Sequence, residues 1–343
     1  NPYSSDLNGD GISELLFANG WNGSTGVFNG GWIYWGQGTP TSPSWSTGQR
    51  IELPTSSAIG VSAADLNSDG LPEVIFSNDG SVYIYWGQAG GPQGVTYSHT
   101  ARTELPAFLT RGIAITDLNG DSRPELIVAN LIGNGSFETD SYIYWGQAGG
   151  PYGIQYSVSA RTNLPTTGSV SVAVADLNGD GRPEVVFSSR QNNVTFDVDS
   201  YVYWGQAGGM YGVSYSDAAR TGLPVHFGAG VTVADLNSDA RPEVIFSNLI
   251  TDNSYIYWGQ SGGPYGVQYS VVARTNLPVS RGHNVSVADI NNDGRPDVVV
   301  QGYGGGYTRI FWGPLPESGT ATISWTLPIT FGFRGLSLGD LNA

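Results

Sequence analysis

The nine residues Asp176-Leu-Asn-Gly-Asp-Gly-Arg-Pro-Glu184 decide how this chain reads, because the sequence repeats them. Full copies occupy 6–14, 65–73, 117–125, 176–184, 235–243 and 289–297, and a broken seventh, Asp340-Leu-Asn342, ends the chain. Positions 1, 3, 5 and 9 are Asp6, Asn8, Asp10 and Glu14 in the first copy and Asp65, Asn67, Asp69 and Glu73 in the second. They are Asp117, Asn119, Asp121 and Glu125 in the third, and Asp176, Asn178, Asp180 and Glu184 in the fourth. The last two copies carry Asp235, Asn237, Asp239 and Glu243, then Asp289, Asn291, Asp293 and Asp297. Hard oxygen donors on alternate residues, closed by one more carboxylate, suit a cation such as Ca²⁺. That ion takes about 6–8 oxygens at roughly 2.3–2.6 Å. With a backbone carbonyl at position 7, one loop supplies most of them, which predicts about six Ca²⁺ per chain.

Two other readings compete. An EF-hand needs a bidentate Glu at position 12. Here that place holds Phe17, Phe76, Val128, Phe187, Phe246 or Val300, so the EF-hand fails in every copy. A plain Asx-turn remains, since Asp, Asn and Gly favour turns without any metal. One copy could be that; six copies with an acid held at position 9 favour the metal. Position 6 is Gly in four copies, as a left-handed backbone favours. Ser122 and Ala240 depart from it, so the third and fifth sites are expected to be the weaker ones.

The acids explain the overall charge. The formal net charge is −15, and the six motifs hold 18 of the 29 Asp and Glu. Six Ca²⁺ would contribute +12 and leave −3, so folding is expected to be coupled to metal binding. All 14 basic residues are Arg, and so acidic a chain argues against a nucleic-acid partner. No apolar run reaches the ~18 residues of a membrane span. Cysteine is absent, so neither disulfides nor thiol chemistry enter. The first residue is Asn1 rather than Met, which fits a secreted chain that has lost a signal peptide.

At 343 residues the chain has room for two average domains or one large β domain. Its 50 Gly, 19 Tyr and 10 Trp favour aromatic strands with glycine turns. Motif starts recur every 51 to 59 residues, the mark of a repeat architecture. Repeats run approximately 6–64, 65–116, 117–175, 176–234, 235–288 and 289–343. Each has the same internal order. An alternating segment such as Val170-Ser-Val-Ala-Val-Ala175 enters the loop, and a short apolar run such as Glu184-Val-Val-Phe187 leaves it. An aromatic segment follows, Ser200-Tyr-Val-Tyr-Trp204, turned by Gly205-Gln-Ala-Gly-Gly209. The last segment begins at Val213-Ser-Tyr-Ser216 and ends in Ala219-Arg-Thr-Gly-Leu-Pro224. Period-two alternation between glycine turns reads as four strands. Four antiparallel strands per repeat of about 50 residues describe a propeller blade. The expectation is therefore one all-β domain over 1–343: a six-bladed β-propeller with a calcium loop per blade. A seven-bladed ring or an open, strand-swapped array is the alternative. The segment 334–339 is expected to complete the first blade and close the ring; otherwise it would pair with another molecule.

The motif, its place between the first two strands, and Phe227-Gly-Ala-Gly230 upstream of Asp235 resemble the FG-GAP/VCBS repeat family over essentially the whole chain. That family includes the propeller of integrin α subunits and propeller lectins, usually with seven blades. The resemblance implies metal ligands at positions 1, 3, 5 and 9, with the position-7 carbonyl from Ile12, Leu71, Arg123, Arg182, Arg241 and Arg295.

Up-and-down strand order puts the metal loop and the Trp-Gly-Gln turn on one face. Trp35, Trp86, Trp145, Trp204, Trp258 and Trp312 all precede Gly, and so regular a feature reads as packing rather than as a sugar platform. The Arg-Thr-x-Leu-Pro segments at Arg102, Arg161, Arg220 and Arg274 read likewise. Loops on the other face vary, and they carry Arg111, His226, Phe227, Arg281, His283 and Arg334, with Trp21, Phe28, Phe108, Phe137 and Phe331. Aromatics and Arg on variable loops are good recognition residues, though the phenylalanines could equally fill a central channel. Sequons at Asn22, Asn134 and Asn193 fall in long loops; a fourth, at Asn284, overlaps a strand.

No catalytic set assembles. His99, His226 and His283 sit at unrelated repeat positions, and the paired acids belong to the metal loops. The leading expectation is a secreted calcium-binding module for carbohydrate or an extracellular protein. The alternatives are a structural subunit that self-associates through its terminal strands, and a polysaccharide-active enzyme.

Overall fold

The computed structural model describes residues 2–19, 30–304 and 307–328. Among these residues, helix is confined to three-residue 3₁₀ turns such as Asp217–Ala219, and strands carry the fold. Six antiparallel sheets follow one another along the chain, each built from four successive long strands. The fourth sheet is typical: Ser169–Ala175, Glu184–Ser189, Asp197–Tyr203 and Arg220–His226 pair in that order. The motif is the turn between its first two strands. The same order runs through Pro2–Ser5, Glu14–Phe17, Gly31–Tyr34 and Arg50–Leu53 of the first sheet. The sixth is Gly282–Ala288, Asp297–Gly302, Tyr307–Phe311 and Trp325–Pro328.

The second strands explain the short apolar runs. Glu184–Ser189 and Glu243–Asn248 are buried at every residue, on both faces of the pleat, so they cannot alternate polar with apolar. First strands such as Ser169–Ala175 are mostly half-buried and keep alternation.

One expected strand divides. The segment beginning at Val213 makes only a two-residue ladder, Val213–Ser214 against Gln206–Ala207, in a small hairpin of its own. The sheet's fourth strand starts at Arg220 instead. Gly208 and Gly209 take φ of 106° and 81°, which folds that hairpin back on itself. Tyr215 then anchors it, its hydroxyl donating to the Pro183 carbonyl at 2.7 Å. The sixth repeat differs: Gly319–Thr320 adds a parallel strand beside Arg274–Leu277 of the fifth sheet.

The chain groups into two compact units, one of Asn1–Asn130 with Tyr142–Asn163, the other of Leu131–Ser141 with Leu164–Ala343. In the first unit, one core joins sheets one and two through Leu16, Ile33, Trp35, Phe76 and Tyr85. A second joins sheets two and three through Ile84, Trp86, Leu126, Val128 and Tyr144. In the second unit, Val186, Trp204, Phe246 and Tyr257 join sheets four and five, and Ile256, Trp258, Val298 and Phe311 join five and six. Each fully buried Leu, Phe or Val contributes about 1.5–3 kcal/mol, so the sheets are held chiefly by their faces.

Tryptophan and tyrosine add directed contacts. Trp86, Trp145, Trp204 and Trp258 are all at most 2% exposed, and each indole N–H donates at 2.9 Å to a Thr hydroxyl: Thr103, Thr162, Thr221 and Thr275. Tyr152 and Tyr265, at the tips of the next sheets' hairpins, stack on Trp86 and Trp204 at 4.6 Å. These tryptophans are packing residues, as their regularity predicts. The Arg-Thr-x-Leu-Pro arginines are too. Arg102, Arg161, Arg220 and Arg274 lie 3.8–4.0 Å over the rings of Tyr83, Tyr142, Tyr201 and Tyr255 in their own sheets.

The first sheet already owns a first strand, since Pro2–Ser5 pairs with Glu14–Phe17. The closing segment 334–339, the broken motif at 340–342, and Trp21, Asn22, Phe28, Phe331 and Arg334 lie outside the described residues.

Candidate metal centres

Each motif makes a tight loop whose side-chain oxygens turn back onto its own amides. In the fourth copy, Asp176 Oδ1 accepts from the amides of Gly179 (2.8 Å) and Asp180 (3.2 Å), and Oδ2 from Gly181 (2.9 Å). Asn178 Oδ1 accepts from Asp180 N at 3.0 Å, and Asp180 Oδ1 from Arg182 N at 2.9 Å. Asp176, Asn178 and Asp180 thus border one small turn, with the backbone left-handed at Gly179 and Gly181 (φ 72° and 80°).

Position 9 faces inward. Glu14, Glu73, Glu125, Glu184, Glu243 and Asp297 are all 0% exposed. Glu184 Oε2 accepts from Leu177 N at 2.7 Å, and Oε1 from Gly205 N, after the buried tryptophan, at 3.3 Å. Glu14 and Glu125 repeat this with Leu7 and Gly36, and Leu118 and Gly146. Asp297, one carbon shorter, reaches the amides of Ile290 and Gly313, both at 2.9 Å. These bonds put the motif loop and the Trp-Gly turn at one end of the sheet, as strand order predicts. Burial pushes the carboxyls up, to about 7 in Glu14, Glu184 and Glu243 and about 8 in Glu73 and Glu125. The amide bonds oppose that shift, and the neighbouring aspartates add to it.

Among the described residues, no group of three or more His, Asp or Glu converges as a metal cluster. The motif's composition accounts for this: one donor is the Asn amide, one a backbone carbonyl, and the last acid is turned to the amides behind the loop. The donor set nevertheless fits a hard cation. Every side-chain donor is oxygen, and Oε1 of Glu73 and of Glu243 is buried without a hydrogen-bond partner. The Gly87 and Gly259 amides lie close enough to lower these carboxyls' pKa but do not reach bonding geometry. A buried carboxylate oxygen with no partner is costly unless an ion or water completes it.

Ser122 and Ala240 do not disturb their loops. They take φ of 66° and 63°, and their amides donate to Asp117 and Asp235 at 2.8 and 2.9 Å, as Gly181 does to Asp176. Three side chains were not foreseen as part of the loops. Arg123, Arg182 and Arg241 fold back so that Nη2 meets Asp121, Asp180 and Asp239 at 2.5 Å. Arg-Pro at positions 7 and 8 was the available signal. The position-12 residues lie within the second strands, and Phe76, Val128, Phe187, Phe246 and Val300 are completely buried.

The opposite strand ends carry the variable residues. Four first strands begin with a bulge, between Thr110 and Gly112, Ser169 and Ser171, Gly228 and Gly230, and Gly282 and Asn284. Arg111 and His283 are bulge residues in equivalent places, taken elsewhere by Val170 and Ala229. Just before the bulges stand left-handed Leu109, Gly168, Phe227 and Arg281, with φ from 48° to 61°. Phe227 packs edge-on against Phe196 at 5.0 Å beneath the Arg190 guanidinium at 4.2 Å. His226 pairs with Asp197 across its sheet, Arg281 bonds the Gly304 carbonyl at 3.0 Å, and His283 lies 5.4 Å from the Tyr303 ring. Phe108 packs onto a core instead. Asn134 is exposed in a left-handed turn, whereas the Asn193 amide is engaged by Ser136 Oγ and Phe137 N. Asn284 lies in a first strand, its amide donating to Gln301.

The model of the FG-GAP-like repeat matches 6–76, 65–128, 117–187, 235–300 and 289–343, most of the chain. The chain belongs to this family. Most matched windows run from one motif through the next and into the strand that follows it, so each covers parts of two successive sheets. No curated protein sequence matches the FG-GAP chain. Its fold is that of solved β-propellers. One is BBS1N in complex with ARL6DN, soaked with mercury: TM-score 0.55, 13% identity, 99% of this chain and 84% of that one. The lead-soaked crystal of the same complex gives 0.54, 13%, 90% and 78%. A lectin from Agrocybe aegerita that recognises non-reducing terminal N-acetylglucosamine is more distant, at TM-score 0.47, 12% identity, 96% and 79%. No helix is long and apolar enough to cross a membrane among the described residues.

Proposed function

We propose that this FG-GAP protein is a secreted, calcium-stabilised propeller of six blades that works as a binding module, with carbohydrate as its ligand class. One contrast carries the reading: each sheet repeats its motif end and varies its other end. Over the seven residues from Thr110 to Thr116, one strand runs from the bulge at Arg111 to the loop at Asp117. At the motif end, oxygens, amides and tryptophans recur. At the bulge end, equivalent places hold Arg111, Val170, Ala229 and His283, flanked by Phe227 and Arg281. A rigid scaffold with variable strand ends is where binding residues concentrate.

Calcium is supported by the all-oxygen donor sets and the −15 charge. Asp176, Asn178, Asp180 and the Arg182 carbonyl would hold it in the fourth loop, with Glu184 behind. Bound there, it supplies charge neutralisation, not chemistry. A binding rather than a catalytic role is supported by the placement of the position-9 acids, which are wholly buried and, as in Glu184, bonded to backbone amides. Among the described residues, exposed Asn134 in its left-handed turn is the sequon best placed for glycan.

The test is a glycan array probed with calcium-loaded protein, alongside a paired run in chelator. Retained glycans whose signal falls in Arg281→Ala or Phe227→Ala support the reading. Silence across the array with metal-saturated, folded protein overturns the carbohydrate assignment.

A further inference from the structure

A cavity of about 170 Å³ opens beside the first strands of the second and third sheets, both in the first unit. Val61, Ile75 and Ile113 form its apolar walls, and Ser62, Ser77 and Arg111 are its polar residues. Ser77 is 1% exposed, and its hydroxyl has no hydrogen-bond partner. A buried hydroxyl left without a partner calls for one.

In the second unit the place of Ser77 is taken by Ser188, whose hydroxyl is likewise without a hydrogen-bond partner, and by Ser247, where the arrangement is closed. There Ser247, four residues past its motif Glu as Ser77 is past Glu73, donates to the carbonyl of the bulge residue His283 at 2.8 Å. The corresponding bulge residue in the first unit is Arg111. A Cβ on Gly230 would lie 3.1 Å from the His283 carbonyl oxygen, whereas one on Gly60 would lie 3.7 Å from that of Arg111. The third sheet's strand thus stands off further, the serine bond is not made, and a cavity takes its place. Of the bulge positions, this one carries a guanidinium, where the others carry Val170, Ala229 and His283.

We propose that this cavity is a binding site for a small carboxylate, held by Arg111 and Ser77 with its short chain against Val61, Ile75 and Ile113. Guanidinium matches carboxylate in charge and in planar geometry. A cavity near 150 Å³ admits a molecule the size of benzene, so the ligand has about six heavy atoms. The site needs no metal, and its failure would leave the function proposed above standing.

Calorimetric titration of the calcium-loaded chain with butyrate, at low ionic strength, tests it. One butyrate should bind per chain, and butyramide, its neutral isostere, at least tenfold more weakly. Arg111→Ile, which places there the residue that the second sheet carries as Ile59, should abolish binding, and Ser77→Ala should weaken it several-fold. Methyl glucuronide separates two sources of the carboxylate. Arg111-dependent binding there shows that a sugar can deliver it; binding of butyrate alone assigns the site to free acids. No butyrate binding, equal binding of butyramide, or unchanged affinity in either variant overturns the proposal. Should Arg111→Ile fail to fold, as its melting curve would show, Ser77→Ala decides.

Discussion

Glu184 accepts the amide hydrogen of Leu177 at 2.7 Å, and both residues are completely buried. The contact fastens the start of the loop to the strand that leaves it, and the second oxygen carries the tie on to Gly205. Glu184→Ala leaves two amides without acceptors. At about 1–3 kcal/mol for a buried unsatisfied group, the loss should be roughly 2–5 kcal/mol by urea unfolding in chelator. Glu184→Asp should lose under about 1.5 kcal/mol, because Asp297 makes both bonds in the sixth sheet. A benign Glu184→Ala would mean that the tie does not matter.

Calcium should raise the melting temperature steeply over that in chelator. At one hundred times the dissociation constant, each site adds about 2.7 kcal/mol. Asp176→Ala should remove one bound equivalent, counted by metal analysis after gel filtration. Identical melting curves with and without calcium would defeat the calcium proposal.

Ser122→Gly and Ala240→Gly should stabilise the fold without changing the number of ions bound. A left-handed non-glycine residue costs roughly 1–2 kcal/mol, and glycine's greater freedom in the unfolded chain gives back about 0.4–1 of that. The net gain is under about 1.5 kcal/mol per site, read from urea midpoints. If either substitution adds a metal equivalent, those loops are the weak sites that their sequence suggests.

Alkali should loosen the inter-sheet joints. Tyr85, Tyr144, Tyr203 and Tyr257 donate their hydroxyls to the carbonyls of Pro54, Pro106, Pro165 and Pro224, each in or just after the last strand of the preceding sheet. Burial raises their pKa, to about 12 in Tyr203, against an ordinary value of 10.0. Between pH 10 and 12 the folded chain keeps protons that the unfolded chain has lost. Stability is therefore full below pH 10 and falls as pH rises. Tyr203→Phe should shallow that fall in a pH series of urea unfolding curves; an unchanged slope would exclude Tyr203 as a contributor. The sixth sheet already has Phe311 there.

Much of this protein is written in its repeats. Asp-x-Asn-x-Asp and the position-9 acid recur at the spacing of a four-strand unit, and period-two alternation needs only local backbone geometry to become strand. Trp204 and Arg220 were legible as packing for a related reason, since a feature that recurs from sheet to sheet serves the sheet. What Glu184 bonds to, however, lies 21 residues away at Gly205, and no local pattern records it. Nor could sequence show that the segment after Val213 would divide, because Tyr215 finds its acceptor at Pro183, 32 residues back. Ser77 and Ser247 occupy the same place in the repeat, yet only Ser247 finds a carbonyl. That difference depends on how closely two sheets approach, which packing faces set and a repeat cannot encode.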